Sequence, residues 1–439
     1  MLTIIDASRM DDVLAWRGSV PVSAAQFLGE AAALAASLPD AAAALNLCED
    51  RYLFMLAFVA IALRGQINLL PPSAAPEMIG RIAAAHPGCY LVGDRTHAEA
   101  PCPVLVLPES TKAFPARESP RIAAGATVAI AYTSGSTGAP QAHAKTWGTL
   151  VATARLAAAR LFDSAVGINV VGTVPSQHMY GLELTMSLAL AAGCRSSSAR
   201  PFFAQDIADA LAAVPEPRLL VTTPLHLRAC VAASVKFPRV AAIVSATAPL
   251  SAQRAAEAEA RFDAPVYEIY GCTEAGSLAT RRSVLGDIWQ LHEGTRLRAD
   301  ADGSVIHAAH LPEPLPLQDR VEAIDEQRFR LLGRGDDLVK VGGKRASLSE
   351  LTARLLAVPG VEDAIVFLPP VDGDAEQRPA ALVVAPRLSR AAILARLAQS
   401  LDPVLLPRPL IRLERLPRNE LGKLSRATLL AALGSHIER

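Results

Sequence analysis

Between residues 127 and 270 strand-like runs alternate with helix-like stretches, and this alternation constrains the fold more than any other feature. The strand-like runs are 127–132, 168–174, 218–221, 240–244 and 266–269, and helical character falls at 149–161, 182–192, 225–233 and 252–261. Strands that each feed a helix before the next strand call for a parallel sheet covered on both faces. Ligands of such sheets bind at the carboxyl ends of strands. Two glycine-bearing segments stand at such ends, and the alternation predicts that they meet at one edge of one sheet.

The first segment is Tyr132-Thr133-Ser134-Gly135-Ser136-Thr137-Gly138, directly after the apolar run Val128-Ala129-Ile130-Ala131. Glycine lets backbone N–H groups turn inward around a polyphosphate, and Ser and Thr hydroxyls add neutral donors. The spacing is neither that of the common NTPase loop nor that of a dinucleotide fold, and by itself the run also suits a flexible linker. The second segment is Tyr270-Gly271-Cys272-Thr273-Glu274. Tyr can lie on a purine, Gly permits close approach, Thr can donate to a phosphoryl oxygen, and Glu can hold a hard cation. By itself it equally suits a strand-to-helix turn with an N-capping Thr.

Length and charge bound the alternatives. A chain of 439 residues with 51% hydrophobic residues has material for two or more domains. Lys plus Arg equal Asp plus Glu at 43 each, so no global field favours nucleic acid or an anionic membrane. The six cysteines form no Cys-x-x-Cys pair and read as reduced thiols of a cytoplasmic protein. No basic region precedes an apolar segment at the N-terminus, so no signal peptide is expected. The longest apolar run, 53–63, is too short to span a bilayer and reads as a buried helix.

After Trp289 the composition shifts to short polar and proline-broken pieces, which predict a small β-rich region. The charged segment Gly333-Arg334-Gly335-Asp336-Asp337 follows, and then helix 349–357, strands 364–367 and 381–384, helix 390–401, strand 411–413 and helix 425–433. The expected organisation is α/β: a large N-terminal domain over 1–333, with parallel sheets flanked by helices plus the β-rich subdomain, and a small mobile α+β C-terminal domain over 334–439. Asp319 can accept both hydroxyls of a ribose and Arg334 can add donors, although an ion pair between Arg334 and a neighbouring Asp is an equal reading. In the tail, Gly422 and Lys423 stand between a proline turn and the last helix, where a lysine can be brought to an α-phosphate.

Together these segments resemble the adenylate-forming superfamily of acyl- and aryl-CoA synthetases, nonribosomal-peptide adenylation domains and luciferases. The resemblance covers roughly 125–430. The segment from Tyr132 to Pro140 looks like the phosphate loop, and Pro175-Ser-Gln-His-Met-Tyr-Gly181 resembles the Pro-x-x-His-x-x-Gly segment beside the acyl pocket. Ser245-Ala-Thr-Ala-Pro-Leu250 resembles the turn against adenine, and Tyr270-Gly-Cys-Thr-Glu274 is similar to Tyr-Gly-x-Thr-Glu. The segments Gly333 to Gly343 and Pro417 to Lys423 resemble the Gly-Arg-x-Asp-Asp and Pro-x-Asn-x-x-Gly-Lys motifs. All six fall in the family's order.

The resemblance implies ATP and Mg²⁺ as cofactors and a carboxylic acid as substrate. It implies that Thr133, Ser134, Gly135, Ser136, Thr137 and Gly138 hold phosphates and that Ala246, Thr247, Ala248, Tyr270 and Gly271 surround adenine. Thr273 would touch the α-phosphate, Glu274 would ligate Mg²⁺, and Asp319 and Arg334 would bind ribose. Asp336 would be the hinge, Lys423 the lysine of the adenylation step, and Gly342 and Gly343 would flank the thiol arm. Departures are Gln141, where the family has its loop lysine, and Trp147, where a histidine is common; Lys145, one helical turn beyond Gln141, is expected to supply the missing charge. His178 is a candidate for the acid pocket, and the smallness of Gly181, Thr247 and Gly276 favours a flat ring. Only a helix and a few residues follow Lys423, so the acceptor thiol is expected from a stand-alone acyl carrier protein or from CoA. The short N-terminal part and the Gln141/Lys145/Trp147 variation resemble compact ligases that load hydroxyaryl acids onto carrier proteins in bacterial aryl-polyene pathways. An ordinary aryl- or acyl-CoA ligase and a non-catalytic nucleotide-binding descendant are the alternatives.

Overall fold

The computed structural model describes residues 1–108, 113–134, 140–300, 303–334, 338–341, 344–370, 378–399, 401–418 and 424–437. Two compact units divide the chain: Met1–Gly286 with Gln290–Thr295 and Ala308–Glu313, and Asp287–Trp289 with Arg296–His307 and Pro314–Arg439. The boundary expected between 333 and 334 thus falls inside the second unit.

In the first unit the strand–helix alternation gives two sheets rather than one. One sheet has the order Pro140–Thr146, Thr127–Ser134, Ile67–Leu70, Ala43–Asn46, Tyr90–Gly93, Val104–Val106, all parallel apart from the first, antiparallel pair. The other runs Gly276–Arg281, Val266–Cys272, Ala242–Ser245, Arg218–Thr222, Asn169–Gly172, Arg195–Ser197, Val13–Arg17, Val20–Ser23. Its middle strands are parallel, and the strands Ala242–Ser245 and Asn169–Gly172 are buried throughout, as double-sided cover requires. The strands Thr127–Ser134 and Val266–Cys272 therefore belong to different sheets, and the single shared sheet edge expected from the sequence is not found. Periodicity identifies a buried strand but carries no information about which distant strand it pairs with.

The helix Arg51–Leu63 explains how two sheets share one unit. Asp50 caps it, its carboxylate accepting from the Leu53 N–H at 2.9 Å. Every residue from Arg51 to Ala62 is buried, because the helix packs on Ala43–Asn46 and Ile67–Leu70 from one sheet and on Arg195–Ser197 and Val13–Arg17 from the other. A helix that is apolar all round needs apolar neighbours all round. No helix among the described residues is long and apolar enough to cross a membrane.

The second unit begins with the expected β-rich pieces. These include the antiparallel hairpin of Asp319–Ala323 and Arg328–Arg334, on which Trp289 and Phe329 stack with centroids 6.5 Å apart. Its α+β part has the sheet order Asp363–Phe367, Ala380–Val384, Leu410–Arg412, with the helices Leu348–Leu356, Arg390–Leu397 and Arg426–Ile437. Leu351, Leu355, Ile393 and Leu397 form the core on one side of these strands, and Leu429 and Leu433 pack with Leu382 and Val384.

Candidate active site

The strand Thr127–Ser134 pairs antiparallel with Pro140–Thr146, which sets Gln141 opposite Thr133 and Lys145 opposite Ala129. Side chains alternate along a strand, so Gln141, His143 and Lys145 share one face. They grade from exposed Gln141 through half-buried His143 to fully buried Lys145. Lys145 is thus a strand residue and not one helical turn beyond Gln141.

The face bearing these three residues meets the second expected segment. Tyr270-Gly271-Cys272 ends the strand Val266–Cys272, and residues 273–275 turn the chain into the antiparallel strand Gly276–Arg281. The segment is a hairpin rather than a strand-to-helix turn. Gly271 is needed here because a Cβ would collide with the Gly276 carbonyl. Lys145 Nζ donates to the Glu274 carbonyl at 2.6 Å. His143 Nε2 lies 3.8 Å from Glu274 Oε1 and 3.2 Å from Thr133 Oγ1. Thr133, at the described end of the first segment, and Glu274 of the second thus both lie beside His143, although their strands belong to different sheets.

Behind the turn is a buried polar group that sequence reasoning missed. Glu183 accepts from the Ser277 N–H at 2.9 Å and from the Ser277 hydroxyl, and Ser277 Oγ lies 3.2 Å from His292 Nε2. Burial raises the Glu183 pKa, against the pull of Ser277 and Lys145, and burial lowers that of Lys145. Burial also lowers His143, and takes His292 down to about 4, so both imidazoles are neutral at pH 7. The available signal for Glu183 was a lone carboxylate inside the apolar stretch 179–192.

The segment with His178 is held from below. His178 is half-buried at the start of Met179–Gly181, and the chain continues as a π-turn over Leu182–Ser187. Arg51 donates to Gly172 O and Val174 O at 2.9 Å each, to Ser176 Oγ at 2.9 Å and to Thr185 Oγ1 at 2.5 Å. Tyr180 donates to Thr222 O and Val244 O, fixing the segment to two strands. The room expected at Gly181 is occupied by the Pro175 carbonyl, which a Cβ would strike. Gly276, at φ +80°, would bring a Cβ to 3.0 Å from Glu183 Oε2. Both glycines thus serve close packing.

Ala246, Thr247 and Ala248 follow the strand Ala242–Ser245 and are half-buried, with Thr247 at φ +78°. A β-branched residue in that region is strained, and such strain gathers at functional turns. Glu268 Oε1 accepts from the Leu250 N–H at 3.0 Å, tying this turn to the strand of Tyr270. In the second unit Asp319 and Arg334 are directly opposite on their hairpin. Arg418, within the tail motif, donates to both oxygens of buried Asp363 at 2.9 and 2.8 Å. Gly135, Ser136, Thr137, Gly138, Asp336, Gly342, Gly343 and Lys423 lie outside the described residues, as do the side chains of Ser134 and Arg334.

The donor set fits Mg²⁺ in one mode. No group of three or more His, Cys, Asp or Glu among the described residues could enclose a metal. Glu274 offers a single carboxylate, 40% exposed. One carboxylate with substrate phosphate oxygens is how Mg²⁺ is commonly held.

The chain is 33% identical over 238 residues to a 4-coumarate–CoA ligase of Rhodobacter capsulatus, covering 53% of this chain and 59% of that one. It is 32% identical over 234 residues to a 4-coumarate–CoA ligase of Halorhodospira halophila, covering 51% and 55%. The chain thus spans little more than half the length of these relatives. The fold superposes on the anthranilate CoA ligase AuaEII bound to anthranoyl-AMP with a TM-score of 0.82 at 16% identity, over 98% of this chain and 96% of that one. It superposes on ATP-bound MatB from Rhodopseudomonas palustris with a TM-score of 0.81 at 18% identity, over 98% of both chains. At such identities the likeness is one of fold. The family profile described as AMP-binding enzyme matches residues 31–302. The chain belongs to the AMP-binding enzyme family.

Proposed function

We propose that the protein is an AMP-forming acid–thiol ligase. A carboxylate oxygen of the substrate attacks the α-phosphorus of ATP, the bond to the pyrophosphate oxygen breaks, and pyrophosphate leaves. A thiol sulfur then attacks the acyl carbon, the bond to the AMP oxygen breaks, and the thiol proton is lost as AMP departs. The observation that carries this reading is the contact of the phosphate-loop hairpin with the Glu274 turn through Lys145.

The first step joins two anions, so positive charge and fixed donors must stand where charge develops. Mg²⁺, when bound, supplies charge neutralisation at the phosphates, and Glu274 is the residue to hold it. Ser134, Ser136 and Thr137 donate to the outer phosphates and Thr273 to the α-phosphate. Tyr270 lies on the adenine beside residues 246–248, and Asp319 and Arg334 hold the ribose. Lys423 provides the cation of the adenylation step, Asp336 is the hinge, and Gly342 and Gly343 leave room for the thiol arm. His178 borders the acid.

The substrate is an aryl acid and the acceptor is CoA. The 4-coumarate–CoA ligases of Rhodobacter capsulatus and Halorhodospira halophila support both choices. Incubation with ATP, Mg²⁺ and 4-coumarate or hydroxybenzoate, with CoA or a phosphopantetheinylated carrier protein as acceptor, tests this. AMP and aryl-CoA are the expected products. Thioester formed on the carrier alone overturns the choice of CoA, and AMP release that ignores every acid overturns the ligase reading.

A further inference from the structure

We infer that Lys145 is a positioning residue for the Glu274 turn and not a ligand of the phosphates; this rests on the ligase reading above. Lys145 is 1% exposed, and its ammonium donates to the Glu274 carbonyl at 2.6 Å. A phosphate could meet it only by entering that buried site.

The turn is gripped at two points. Lys145 holds the Glu274 carbonyl within the bend, and the Glu183 carboxylate holds the Ser277 N–H after it. Between them Gly276, at φ +80°, lets the chain turn against Glu183 and Thr153. Held this way, the Glu274 carboxylate is presented outward, beside His143. On the same strand face, Gln141 occupies the exposed end where a phosphate-binding cation would stand. The sequence therefore separates two tasks: no loop lysine for phosphate, and a buried lysine four residues on for the metal-binding turn.

The test compares Lys145→Met, Lys145→Gln and the double variant Lys145→Met/Gln141→Lys with the wild type. ATP affinity is measured by titration calorimetry in EDTA, and the Mg²⁺ dependence of acid-dependent pyrophosphate exchange is measured separately. A positioning role predicts Mg²⁺-free ATP affinity within about two-fold of wild type, with half-saturating Mg²⁺ raised on the order of 10- to 100-fold for Lys145→Met, as loss of a metal-orienting partner gives. Gln141→Lys does not restore it. A phosphate ligand predicts the reverse: lost Mg²⁺-free affinity, regained with Gln141→Lys. Amine acetylation of wild-type protein reads the same question where a variant fails to fold. Lys145 is expected to stay unmodified with and without ATP, and modification that ATP suppresses overturns the inference. Wild-type protein that binds no ATP in any condition would instead sink the ligase reading.

Discussion

His226 illustrates what burial does to one titrating side chain. It is 4% exposed, with Nδ1 2.9 Å from Thr223 Oγ1 and 3.3 Å from Thr173 Oγ1. Burial lowers its pKa from 6.5 to about 4. The unfolded chain therefore binds a proton that the folded chain refuses. The contribution of His226 to stability is complete above pH 6.5 and is lost as pH falls towards 4, on the order of 3 kcal/mol in all. Glu183, with its raised pKa, acts in the opposite sense, so the readout is a difference. Denaturant midpoints of wild type and His226→Asn should converge as pH falls from 6.5 to 4, and a constant gap would refute the assignment. The sequence pointed to few of these buried groups. His178, Glu274 and Tyr270 stand in recognisable segments, whereas Arg51, Glu183, His226 and His292 are single polar residues whose burial depends on what the fold lays over them.

At the scale of elements, the strands and helices named between 127 and 270 have counterparts because parallel strands are short apolar runs and the helices between them are long, whereas the strands and helices before 127, apart from the helix Arg51–Leu63, were not read. The strand Val266–Cys272 extends past the expected 269, since antiparallel pairing with Gly276–Arg281 carries it onward. The predicted helix 182–192 opens as a π-turn, where Thr185 donates to Gly181 O while accepting from Arg51. Nothing in the local sequence marks that bulge, and Arg51, which donates to its Thr185, lies far away in the chain. Arg51→Met would leave the Gly172 and Val174 carbonyls and two hydroxyls without this donor. Unsatisfied buried groups cost about 1–3 kcal/mol each before relaxation, so a loss of at least ~3 kcal/mol in chemical denaturation is expected. The same variant should raise the KM for the acid more than the KM for ATP, since Arg51 anchors both ends of the segment with His178. Equal changes in the two constants would mean that the clamp serves stability alone.

For the whole molecule, the order of the six motifs made the family legible, and local patterning could not give the arrangement of sheets. Thr127–Ser134 and Val266–Cys272 look alike in sequence and lie in different sheets. The two sheets share the helix Arg51–Leu63, which contacts other strands of each, a long-range arrangement that local patterning does not encode. What joins the two segments is chemical: Lys145, buried on the hairpin of Thr127–Ser134 and Pro140–Thr146, donates to the Glu274 carbonyl. Acid-dependent exchange of radiolabelled pyrophosphate into ATP, run on the wild-type chain with a panel of aryl acids, tests this most directly. Exchange that requires both an aryl acid and Mg²⁺ is the expected result; no exchange with any acid, from protein that binds ATP, would contradict it.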